Sequence, residues 1–188
     1  MPGRPGARAA RVLTEDVEAF EGAGCRLLER RGDLEAVLAA PRGGGRVVIR
    51  LTRVGRIFGG NWGLEVAPEE QLLPETASGI AARGRGVVRQ QGVRFRARGR
   101  RDDAAVRLAE ALSADSNLGK ALGRVHFERV WVRRDGRPVI RHLGGSVVWV
   151  AFPPIVRSTP LPAEQPRELL RALDAFRDAA GRLDTFDV

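Results

Sequence analysis

Tyrosine is absent from this chain of 188 residues, lysine occurs once, cysteine once and histidine twice. With Cys25 alone, an intramolecular disulfide framework is impossible, and so is any zinc or iron–sulfur site built on several cysteines. Met1 to Arg11 holds three arginines and no apolar run, so it does not read as a secretory signal. The longest uncharged stretch, Leu143 to Val156, has fourteen residues and two prolines, too few to cross a bilayer as a helix. Together these absences predict a soluble, cytoplasmic protein without a transmembrane segment. Neither a GxxxxGK[ST] loop nor GxGxxG is present, which removes the usual nucleotide-loop signatures.

What is present is a globular composition, 43% apolar and 29% charged, with 23 glycines and 11 prolines between periodic segments. The 32 cationic side chains are arginines apart from Lys120, the bias of a GC-rich bacterial genome, so arginine identity carries little information. The placement of charge carries more. Residues 1–82 hold eleven arginines and eleven acids, and residues 102–188 hold thirteen cations and twelve acids. Residues 83–101 hold eight arginines and no acid, and so account for nearly all of the net charge of +9.

Periodicity predicts an α+β fold, with antiparallel sheet covered by helices. Thr14 reads as the cap of a first helix whose stripe is Leu13, Val17, Phe20, Gly24, Leu27 and Leu28. Leu34–Ala40 and Arg46–Val54 read as strands joined by the turn Pro41-Arg42-Gly43-Gly44-Gly45, and Trp62–Val66 as a third strand. Glu69–Ala82 is a poorer helix, and Val87–Gln90 with Val93–Arg98 a hairpin. Asp102 caps a helix with Ala105, Leu108, Ala109 and Leu112 on one side, followed by a turn at Leu118 and Leu122. Val125–Arg133, Arg137–Leu143 and Ser146–Phe152 are strands, the last apolar on both faces as in a doubly covered strand. In the final helix Leu169, Leu173, Phe176, Ala180 and Leu183 form one stripe, while Arg177 faces water.

The two halves echo one another. Gly45–Arg50 matches Gly136–Arg141 at five of six positions, and Gly59-Gly60, Trp62 and Pro68 recur in order as Gly144-Gly145, Trp149 and Pro162. The expectation is a single domain, residues 1–188, with an internal repeat: a helix–three-strand–helix unit at 12–82 and again at 102–183, joined by a basic hairpin at 83–101.

Chemistry-bearing constellations are few. His126 and Glu128 share a strand face; a two-residue Asp135-Gly136 loop would set His142 opposite Arg129, whereas a three-residue loop with Gly136 as a bulge would set it opposite Glu128 as a third member of an acid–base or metal site. Cys25 has no histidine near it in sequence, and Glu15-Asp16, Glu69-Glu70 and Asp102-Asp103 sit where helix N-termini favour acids. Trp62, Trp131 and Trp149 fall on strands and read as core. In residues 83–101, Arg94, Arg96, Arg98 and Arg100 alternate with Val93, Phe95, Ala97 and Gly99, a row of cations about 7 Å apart along one strand face. Arg83, Arg85, Arg89 and Arg101 add to it. The reading is a non-enzymatic binding or interaction module with a basic strand face, free of cofactor and metal; the alternative is a nucleic-acid-binding protein that uses Arg83–Arg101. The sequence does not name the partner, and a polyanion, nucleic acid or an acidic protein surface, is the kind the arginine row would take. A small enzyme at His126, Glu128 and His142 ranks last.

Overall fold

The computed structural model describes residues 5–56, 59–83, 93–99, 101–150 and 155–184, in an α+β fold. Helix α1 (Pro5–Gly22) is followed by strands β1 (Arg26–Arg30), β2 (Glu35–Ala39), β3 (Arg46–Arg56) and β4 (Gly59–Pro68). Next come β5 (Ile80–Arg83) and β6 (Phe95–Ala97), then helices α2 (Asp103–Ala114) and α3 (Ser116–Leu122). Strands β7 (Phe127–Val132), β8 (Pro138–His142), β9 (Ser146–Val150) and β10 (Ile155–Thr159) precede the closing helix α4 (Gln165–Asp184).

Helix α1 begins at Pro5, well before Thr14, because Ala9, Val12 and Leu13 extend its buried stripe to Val17 and Phe20. Thr14 is therefore no cap; its hydroxyl donates to the Ala10 carbonyl at 3.2 Å inside the helix. Gly24, at φ +97, ends the helix, and the Cys25 amide reaches back to the Phe20 carbonyl at 3.1 Å. Leu27 and Leu28 accordingly lie on strand β1 and not on the helix. Asp102 does cap α2, accepting from the Ala105 amide at 3.0 Å, and Ala105, Leu108, Ala109 and Leu112 are all buried as the periodicity requires.

The strands form one antiparallel sheet in the order β1-β2-β3-β4-β8-β7-β5-β6. Strands β8 and β9 share the same edge of β4, with Glu65 opposite Arg141 in β8 and Trp62 opposite Val147 in β9. Between them the chain breaks step at Leu143-Gly144-Gly145. Gly145 has φ +63, and a Cβ there would lie 2.8 Å from the Asp16 carboxylate of α1, so only glycine suits the position. Strand β10, which alternation alone did not reveal, pairs with β9. The matching segments of the two halves, β3 and β8, flank β4 on either side. The elements around them differ, however: Glu69–Gly79 contains no helix, and Ile80–Arg83 is strand β5. Pro74 and Gly79 (φ +64) break the helical pattern there, while the Leu73 and Thr76 amides are tied to the Gly136 and Arg134 carbonyls at 3.1 and 3.0 Å.

Every second strand residue enters one core. Ile49, Leu64, Ile140, Val130, Ala82 and Phe95 point to the face that carries the helices, where they meet Phe20, Leu112, Leu118, Leu122 and Phe176. Among the described residues, the opposite face of the sheet has no helix over it. Strand β9 shows this plainly: Val147 is buried, but Val148 and Val150 are 42% and 37% exposed, so the strand is covered on one side only.

Arg177 is more than a solvated charge on α4. Its guanidinium pairs with Asp174 at 2.7 Å and Glu70 at 2.8 Å and donates to the Gly44 carbonyl at 2.9 Å, clamping α4 to the β2–β3 turn. Arg177→Ala is expected to cost about 1–2 kcal/mol, whereas the exposed Asp178→Ala should stay within about 0.5 kcal/mol. Urea titrations that rank the two equally would discount the clamp.

Candidate anion-binding face

Side chains on the helix-free face form a charge ladder across five strands. Arg129 (β7) pairs in register with Arg141 (β8), Arg141 with Glu65 (β4), Glu65 with Arg50 (β3), and Arg50 with Glu35 (β2). Glu65 is the pivot and is only 3% exposed. It accepts from Arg50 at 2.8 Å, from the Thr52 hydroxyl at 2.7 Å, and from Arg141. Burial would push its carboxyl up, yet the hydrogen bonds from Thr52, Arg141 and Arg50 together hold it below the ordinary range. Glu65 is thus an ionised, saturated group that fixes the two arginines beside it.

Trp131 lies in the next row, between Ala81 on β5 and Val139 on β8. It is half-buried on the open face, and the Arg129 and Arg141 guanidinium carbons stand 5.5 and 5.7 Å from its ring centroid. Of the three tryptophans read as core, Trp62 is buried and Trp149 packs against the core, but Trp131 belongs to the surface row. Its parity with Arg129, on a strand that enters the core through Val130 and Val132, is the signal that could have found it.

The predicted arginine row divides as follows. Val93 and Phe95 are buried and Arg94, Arg96 and Arg98 are exposed, in the alternation the sequence implied. Arg96 lies on strand β6, with Arg94 and Arg98 at its two ends; among the described residues β6 closes the sheet on that side, paired with β5. Arg83 ends β5, and Arg101 is exposed just before α2. Arg85, Arg89 and Arg100, and the strand expected at Val87–Gln90, lie outside the described residues. Among the described residues Arg94, Arg96, Arg98, Arg101 and Arg134 make no ion pair.

Beside this row an open cleft of about 850 Å³ runs between the Ala77–Gly79 turn, the residues Arg98, Gly99, Arg101 and Asp102, and the end of β7. Arg98, Arg101, Arg133 and Arg134 line it, with Trp131 and two acids, Asp102 and Asp135. Both acids are engaged. Asp102 accepts from the Ala105 amide and from the Ser78 amide and hydroxyl, which hold its carboxyl low, the Ala105 bond first. Asp135 bridges Arg137 at 2.9 Å and Arg133 at 3.5 Å. Arg133 and Arg134 were not singled out by sequence, because their charges are balanced locally by Asp135 and Glu128 and join the row only through β5–β7 pairing.

The histidines take a different course. The hairpin does close through a three-residue loop, with the Arg133 amide bonded to the Arg137 carbonyl at 2.9 Å and Gly136 at φ +71. A bulge at Glu128 then shifts the register, so that His142 faces Phe127 instead of Glu128. His142 is buried: Nδ1 accepts from the Gly144 amide at 2.8 Å, which leaves Nε2–H to donate to Gln165 Oε1 at 3.0 Å. Burial lowers its pKa despite these bonds. Gln165 also accepts from the His126 amide at 2.9 Å and donates to the Arg124 carbonyl, so it ties the start of α4 to β7 and β8. The His126 ring stacks 6.3 Å from that of His142, but Glu128 points to solvent, and among the described residues no three His, Cys, Asp or Glu side chains converge on one point. Cys25 is buried, and burial, with Glu21 second, pushes its thiol up to about 11, far from a reactive thiolate.

Residues 20–180 match the model of a family described as "Protein of unknown function (DUF3156)". No curated protein and no solved structure matches the chain.

Proposed function

The chain belongs to the DUF3156 family, and from its surface chemistry we propose that it is a binding module whose helix-free sheet face holds a polyanionic partner. The observation that carries this reading is the set of five exposed or cleft-lining arginines, Arg94, Arg96, Arg98, Arg101 and Arg134, without ion-pair partners among the described residues. The two acids that line the cleft, Asp102 and Asp135, are already engaged, the first as a helix cap and the second by Arg133 and Arg137. The underlying frame is stiff: β6 is pinned through Phe95 to the core, and the Ser113 hydroxyl of α2 accepts from the Phe95 amide at 2.9 Å. Guanidinium groups held on a rigid strand meet successive anionic groups with little ordering cost.

Replacing Arg94, Arg96 and Arg98 together by Gln should leave the fold intact, because Val93, Phe95 and Ala97 keep their places. Binding to a generic polyanion such as heparin should weaken, and the slope of log affinity against log salt should flatten by about one unit for each arginine that had neutralised an anionic group. Unchanged affinity and slope in the triple variant would end the polyanion reading. A variant that unfolds would show instead that the row serves the fold, and would end it equally.

A further inference from the structure

We propose that the cleft beside β7 takes a single-stranded segment of nucleic acid, with one base laid against Trp131 and the flanking phosphates on Arg98, Arg101, Arg133 and Arg134; this rests on the polyanion reading above. The cleft's volume of about 850 Å³ falls in the range of about 300–1,000 Å³ typical of small-ligand sites, ample for a nucleotide. Its lining combines the two chemistries that single strands require: cations for the backbone and an aromatic ring for a base.

The setting of Trp131 separates a single strand from a duplex. The indole is half-buried, with the guanidinium groups of Arg129 and Arg141 against it and Arg133 and Arg134 exposed beyond it in sequence. A duplex keeps its bases stacked inside and offers only phosphates to such a surface, so its bases would not reach the ring. A single strand can turn one base inward. Across the sheet, the neighbour of Trp131 on β5 is Ala81, a methyl group that leaves room beside the indole where a larger residue would fill it. Arg141, in turn, is held in place by Glu65 and Thr52, so one of the cations against the ring is oriented before any ligand arrives.

The test is fluorescence anisotropy of the full chain with a labelled oligothymidylate of about 12 nucleotides, beside a duplex of similar charge, heparin, and vesicles rich in anionic lipid. The oligonucleotide is expected to bind at least about tenfold tighter than the duplex, and Trp131→Ala to weaken it by roughly tenfold or more. Heparin affinity should change little in that variant, because the arginines remain. Trp131→Phe should keep most of the oligonucleotide affinity, since a phenyl ring still offers a face, and it guards against loss of folding in the alanine variant. The quenching of tryptophan emission by the oligonucleotide should be smaller in Trp131→Phe than in the parent. Equal binding of single strand and duplex, preference for vesicles, or an alanine variant that binds the oligonucleotide like the parent would overturn the proposal while heparin binding kept the polyanion reading alive. If heparin too fails to bind, both fall.

Discussion

Asp16→Asn is expected to stabilise the protein at pH 8 and to lose that advantage on acidification. Asp16 sits on α1 at 1% exposure, facing Gly145 and Leu64, and its Oδ2 has no hydrogen-bond partner among the described residues. Burial first, and the neighbouring charge of Glu15 second, raise its pKa to about 7. An unfolded chain would release the same proton near pH ~3.9. Between those two values the unfolded state sheds a proton that the folded state keeps, so unfolding becomes progressively easier as pH rises from about 4 to about 7, and the penalty is constant above that. At ~1.4 kcal/mol per pH unit of separation the penalty approaches about 4 kcal/mol, a ceiling that local relaxation of α1 reduces. The amide carries no charge to bury, so the variant should gain most of that at about pH 8 and almost nothing at about pH 4. His142 acts in the other direction, since a buried imidazole with a lowered pKa costs stability as pH falls below ~6.5, but it is common to both proteins and cancels in the difference. Urea titrations at several pH values would decide. Parallel stability profiles for the two proteins would mean that Asp16 is hydrated and ionised in the fold.

Phe176→Ala should cost about 3–5 kcal/mol, the loss of a large buried ring together with the cavity it leaves. Phe176 is 0% exposed at the centre of the α4 stripe. Its ring meets that of Phe95 edge to face, with centroids 6.0 Å apart and planes at 79°. Phe95 is the residue that roots strand β6 in the core, so the same substitution should loosen the strand that carries Arg94, Arg96 and Arg98. Amide exchange in β6 should therefore rise more than exchange in β2, which lies at the far end of the sheet. A cost below about 1 kcal/mol, near the centre of the range for ordinary substitutions, would show that the α4 stripe is not packed as described.

Local chemistry alone determined a good part of this protein. The caps and stripes of α2 and α4 follow from Asp102 and from apolar residues at helical spacing, because a helix must bury one side and satisfy its first amides whatever surrounds it. The alternation of Val93 and Phe95 with Arg94, Arg96 and Arg98 is likewise a property of a strand with one wet face. Long-range pairing decided the rest. Glu69–Ala82 carries a weak helical pattern, but its chain is drawn to the β7–β8 turn and into the sheet as β5, where ladder bonds outweigh propensity. The register at Glu128 turned on a bulge that no spacing rule foresees, and it set His142 opposite Phe127, where the three-residue loop alone would have set it opposite Glu128. Which face of the sheet the helices leave open is likewise invisible in sequence, since a strand states only that its two sides differ. That choice placed Trp131 among arginines instead of in the core, and brought Arg133 and Arg134 to Arg98 and Arg101 from the far side of two intervening helices. A cleft assembled from such distant segments exists only once the sheet has formed, because the contacts that build it are between strands and not along them.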